Sequence, residues 1–167
     1  YRFELGVYGR EILLIDFVNL LCTAAWCLFI HYLIPNKYAG HTVIVGVFIL
    51  TGVLSTYGFQ NPLYQIWTLP TYTYSDMNGY GHFVRPIFWF STYWVLLAAI
   101  LSVIAILLTR RGEDSGWRAR LKNARSGLSL PVSALAICLI AGFVGVLGFI
   151  YYNSHVINKY RDREINL

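Results

Sequence analysis

Charge is what this sequence has least of. Only 13% of its 167 residues are Asp, Glu, Lys or Arg, against roughly 25% in an ordinary soluble domain. Just 8 are carboxylates, while 57% of the chain is hydrophobic. Such a chain cannot cover itself with water-seeking groups, which excludes a soluble globular class. Cysteine is scarce as well. Cys22, Cys27 and Cys138 all fall inside apolar runs, and an odd number there argues against a disulfide framework or a cysteine zinc site. No Gly-x-x-x-x-Gly-Lys-Ser/Thr occurs, so the chain does not cradle ATP phosphates by itself. None of the 4 histidines opens a His-Glu-x-x-His, which removes that zinc-peptidase chemistry. We expect no catalytic residue, metal or cofactor in this segment. No signal-peptide pattern is present, because the first apolar run is too long to be one. The chain opens on Tyr1 and closes on a charged tail, so a piece of a longer protein is expected.

What the sequence does have is hydrocarbon-length apolar runs. The expected fold is all-α, a polytopic helical bundle with spans over residues 12–34, 42–59, 87–108 and 130–152. The first rises ~34 Å, enough for a core of ~30 Å with modest tilt. Pro35-Asn36-Lys37 is read as ending it, with a short turn to His41.

Residues 60–86 cannot span, because Pro62, Pro70, Gly79 and Gly81 break any long helix. From position 57 to 94 lie 13 of the 28 aromatic residues, and amphipathic rings collect where membrane meets water. This stretch is expected to form an ordered cap on the outer face. Asn61-Pro62 suggests a short interfacial helix over 63–68, and Asn78-Gly79 a tight turn.

The net charge of +5 could suggest nucleic acid, but its placement does not. Six of 13 basic residues lie between positions 110 and 125, beside a span, where anionic lipid headgroups are the expected partner. Within loop 109–129, Trp117, Leu121, Ala124 and Leu128 repeat at helical spacing, while Arg118, Arg120, Lys122 and Arg125 fall mostly off that stripe. That is a basic amphipathic helix in the interface, facing lipid or a docked ATPase. Seven basic residues share its side of the membrane and six the other. The dense cluster therefore places the loop in the cytoplasm and the cap, with both termini and the polar exit 153–167, outside.

Two polar patterns invite a functional reading. Asp16, Asn19, Thr23, Cys27 and His31 fall within about 120° of one face of the first span. This face can line a substrate or proton path, or else Asp16 and His31 snorkel to water while Asn19 makes one interhelical bond. In the cap, Asp76 and His82 sit six apart among turn formers, a pattern that more often holds a loop together than performs catalysis. Along the fourth span, Ala134, Cys138 and Gly142, and Ala141 and Gly145, are spaced by four, which permits close packing against another span of the bundle or, alternatively, a dimer seam.

Four segments together carry a resemblance. Tyr74-Ser-Asp76-Met-Asn78-Gly79-Tyr80-Gly81-His82-Phe83 resembles a segment of bacterial ABC-2-type permeases fused to an aminopeptidase N-like zinc metallopeptidase domain. Asn36-Lys37-Tyr38-Ala-Gly40-His41, Asn61-Pro-Leu-Tyr64, and Tyr151-Tyr-Asn-Ser-His-Val-Ile-Asn-Lys-Tyr-Arg161 look similar in the same order. The resemblance implies the last membrane block before the peptidase, in a bacterial inner membrane. Its partners would be lipid, other membrane helices of the same protein and a separate ABC ATPase. The peptidase's zinc ligands have no counterpart here. The alternative is a structural anchor for the peptidase, without transport.

Overall fold

The computed structural model describes residues 5–34, 36–57, 59, 62–63, 65–66, 68–70, 72–75, 79–109 and 117–157. Helix α1 (Leu5–Arg10) runs through a π-helical stretch (Glu11–Asp16) into α2 (Phe17–Leu33). Then come α3 (Lys37–Thr56), a 3₁₀ turn (Gly81–Phe83), α4 (Val84–Leu107), α5 (Trp117–Gly127) and α6 (Leu130–Tyr151), which continues into a second π-helical stretch (Tyr152–Ile157). Four stretches, Glu11–Leu33, Lys37–Thr56, Gly81–Leu107 and Leu130–Val156, are long and apolar enough to cross a membrane. The chain is an all-α, multi-pass membrane bundle. Among the described residues no strand forms; Ser75 and Gly79 make one isolated bridge.

Helix boundaries follow local chemistry. Asn36 is extended (φ −87°, ψ 119°), and its side chain accepts hydrogen bonds from the Tyr38 and Ala39 amides at 3.0 and 3.5 Å. It caps α3, which therefore starts at Lys37 and not at the expected 42; residues 37–41, expected as a turn, are helix. Pro86 falls in the first turn of α4, where a missing N–H leaves no bond unmade, so that helix also begins earlier than expected. Ser129, extended at ψ 160°, precedes α6, and Pro131 lies in its first turn for the same reason. The expected short helix over 63–68 does not form among its described residues, which adopt turns and bends.

Helix α4 is the centre of the bundle, packed on α2 along one side and on α6 along the other. Cys22, Leu63, Tyr93, Trp94, Ala98 and Ile150 are buried together, with Trp26, Trp89, Phe143 and Leu147 packed around them. Tyr93 stacks on Phe143 (centroids 5.0 Å) and meets Trp94 edge-on at 4.9 Å, while Trp89 lies against Phe149 at 4.4 Å. Such aromatic pairs add ~0.5–1.5 kcal/mol each beyond the area they bury. Helix α3 leans on α2, through Trp26 against Phe48 at 5.8 Å and His31 against His41 at 4.6 Å.

The seam between α6 and α4 differs from the small-residue expectation. Phe143, Val146, Leu147 and Ile150, spaced i, i+3, i+4, i+7, face α4, whereas Ala134, Cys138, Ala141 and Gly145 are exposed. Only Gly142 approaches α4, where an added Cβ would sit 3.8 Å from Leu96, an ordinary contact. Large side chains fill more of the interhelical space than a small-residue groove does, and here they set the face.

Candidate functional site

The cap is built onto the aromatic end of α4. Leu63 is buried in the bundle core, and the Trp94 indole N–H donates to the Thr68 carbonyl at 3.2 Å. The Thr68 amide donates to Gln65 O (3.2 Å), and the Gln65 side-chain amide donates to Phe59 O (2.9 Å). Ser75 and Gly79 exchange backbone bonds of 2.9 and 2.7 Å around a tight turn. Gly79 and Gly81 take φ of 58° and 47°, conformations that a Cβ disfavours. The Tyr80 ring then lies edge-on to Tyr72 and Tyr74, at 5.8 and 5.4 Å. His82 lies against Phe83 (4.0 Å). The expected cap motif is thus an ordered structure at Tyr74, Gly79, Tyr80, Gly81 and His82; Asp76 and Asn78 lie outside the described residues.

The cap shares its end of the bundle with the start of the first span. Burial pushes the Tyr72 hydroxyl above its usual range, and the nearby charges of Glu11 and Asp16, with Tyr80, raise it further. Tyr151 and His155, stacked at 4.5 Å, follow the end of α6. Beneath the cap, Ile15, Val18, Asn19, Cys22, Leu69, Ser91 and Trp94 line a half-open cleft leaving about 10 Å³ for the centre of a water molecule. That space is about the size of one water.

The polar stripe of the first span does not line this interior. The residues of α2 that pack toward the core are Val18, Cys22, Ala25 and Trp26, and the stripe is rotated from them by roughly 120° at 100° per residue. Asp16 is exposed, Asn19 alone reaches the cleft wall, and Thr23 and Cys27 are half-buried. Thr23 Oγ1 donates to the Asn19 carbonyl at 2.9 Å, a local bond that satisfies its hydroxyl. At the far end of α2, His31 lies in a notch made by Gly40, where an added Cβ would come within 2.8 Å of Nδ1. Sequence reasoning missed two features here. The His31–His41 pair is hidden in the sequence because Gly40 and His41 read as part of the turn after the first span. Cys22 and Trp94 were passed over because buried packing leaves no polar signature.

At the opposite end, Gly127 of α5 lies against α4, an added Cβ coming within 3.3 Å of Leu107 Cδ2. Arg118, Lys122 and Arg125 are exposed on this helix, Arg120 lies on it, and Leu121 is 69% exposed. Arg110, Arg111, Asp114 and Ser115 lie outside the described residues. No group of three or more His, Cys, Asp or Glu side chains that could hold a metal ion occurs among the described residues.

No protein-family model matches the chain, and no curated protein or solved structure is significantly similar to it.

Proposed function

We propose that this chain is a membrane-spanning permease segment of an ABC-2-type transporter-like protein, standing ahead of an aminopeptidase domain and served by a separate ATPase. The motif over residues 74–83 supports the family reading. The observation that supports a role within a larger assembly is that the polar stripe lies off the packed seam with α4. His31 already meets Gly40 and His41 of α3 and Thr23 bonds to Asn19, but Cys27 lies half-buried on a membrane span away from its packed seam with α4. Polar groups at that depth belong against a partner helix or a water path, and in the full protein neighbouring helices would supply it. Asp16 carries less of this argument, because it sits at the cap, near water. The cytoplasmic face would be the one bearing α5, and the membrane a bacterial inner membrane.

The second reading, a structural anchor without transport, is favoured by the packed seam of α2, α4 and α6, where Tyr93, Trp94 and Phe143 fill the space between the helices. Cys27 distinguishes the two. In the full-length protein with Cys22 and Cys138 replaced by Ala, a small water-soluble methanethiosulfonate is expected to modify Cys27 in the membrane. Modification is expected to lower substrate-stimulated ATP hydrolysis by the partner. An inert Cys27 with unaltered ATPase coupling would move the anchor reading ahead.

A further inference from the structure

The basic face of α5 is better organised than a scatter of loop charges. Arg118, Lys122 and Arg125 stand at i, i+4 and i+7, within about 60° of one another around the helix, and all three are exposed. Leu121 and Leu128, 69% and 47% exposed, form the adjoining apolar edge together with Ala124. The depth of this helix is fixed. Gly127 rests on Leu107 at the end of α4, and α6 begins at Leu130, three residues further on. The helix therefore lies at the level where one span stops and the next starts. Among the described residues no carboxylate lies beside these cations. The carboxylates among the described residues, Glu11 and Asp16, belong to the π-helical stretch at the opposite end.

We propose that this face of α5 binds anionic phospholipid headgroups of the membrane the chain crosses, with Arg118, Lys122 and Arg125 on the phosphates and Leu121 and Leu128 among the first acyl carbons. Exposed leucines beside cations, at the depth of a span terminus, match a headgroup lying above its own chains. A soluble acidic protein would complement the charges but leave the leucine edge without apolar cover. The inference stands whether or not the chain transports anything.

The test uses the whole chain, purified in a neutral detergent and titrated with short-chain phosphatidylglycerol or phosphatidylcholine while its melting midpoint is followed. Apparent affinity for phosphatidylglycerol is expected to exceed that for phosphatidylcholine by about fivefold per cation, on the order of 100-fold for three. The R118Q/K122Q/R125Q variant should bind both lipids alike. On the unsubstituted protein, raising salt from 50 mM to 500 mM should shrink the preference, an arm that no folding defect can imitate. Inorganic phosphate at matched concentration should not stabilise the protein. A preference that survives the triple substitution or high salt, or one reproduced by phosphate alone, overturns the proposal.

Discussion

Gly79 offers the most direct test of whether the cap is a built structure. Its φ of 58° lies in the left-handed region, where an L-residue with a Cβ pays ~1–2 kcal/mol. Space is not the obstacle, since an added Cβ would meet only Tyr74 Cε2 at 4.0 Å. The cost of Gly79→Ala is therefore torsional, and is partly offset by the ~0.4–1 kcal/mol that alanine gains by restricting the unfolded chain. The net expectation is a loss of about 1 kcal/mol, more for Gly79→Val, whose branch makes positive φ worse. Gly79→Asn should cost least, because asparagine visits this region readily. A loss of about 1 kcal/mol multiplies the open population of the cap roughly fivefold. When opening is fast relative to cleavage, proteolysis rate follows that population. Limited proteolysis in detergent should thus rank cleavage within the cap as Val > Ala > Asn > Gly. Equal rates for Gly and Val, or an asparagine variant as labile as valine, would show that the turn does not hold the cap closed.

Other substitutions probe the remaining contacts. Trp94→Phe removes the indole donor to Thr68 while keeping an aromatic in the core; it should cost ~0.5–1.5 kcal/mol and raise cleavage in the cap, and unchanged cleavage would refute the tether. Gly40→Ala must displace the His31 ring and should lower the melting midpoint by the equivalent of about 1–3 kcal/mol, with His31→Ala relieving most of the clash; a neutral Gly40→Ala would deny the close approach. Tyr72 is held in its neutral form in the fold, above its usual value near 10. Its stabilising contribution is therefore complete below pH about 10 and lost as pH rises through the raised value. Melts from pH 8 to 11 should show a shallower alkaline decline for Tyr72→Phe, and identical declines would count against that placement.

The sequence made the class of the fold legible because membrane spans are written in length and hydropathy, which need no partner to interpret. It also made the cap legible, since proline and glycine state where a helix cannot continue and the Asn78-Gly79 pair states where φ turns positive. Packing was harder to read, and the reason lies in α4 and α6. Both are apolar all round, so neither period nor charge marks which side faces a neighbour. The small residues of α6 suggested one face; Phe143, Val146, Leu147 and Ile150 took another. Near the start of the first span, the π-helical stretch Glu11–Asp16 departs from the 100° repeat on which the polar arc was drawn, so Asp16 holds its place on that arc only loosely.

Aromatic crowding shows the same ambiguity with a different outcome. Rings from position 57 to 94 read as a belt at the membrane surface, and Tyr57 and Phe88 are exposed as a belt would need, at 73% and 61%. Tyr93 and Trp94, however, are 8% and 6% exposed and form the centre around which α2, α4 and α6 assemble. Trp94 does both jobs at once, filling the core with its ring and fastening the cap with its N–H. A residue that is apolar on its faces and polar at its edge can join a packed bundle to an irregular lid without leaving a donor unmet. The lid is therefore tied to the bundle's own core at Leu63 and Thr68, and any motion that lifts that segment must first break into the core at Leu63 and Trp94.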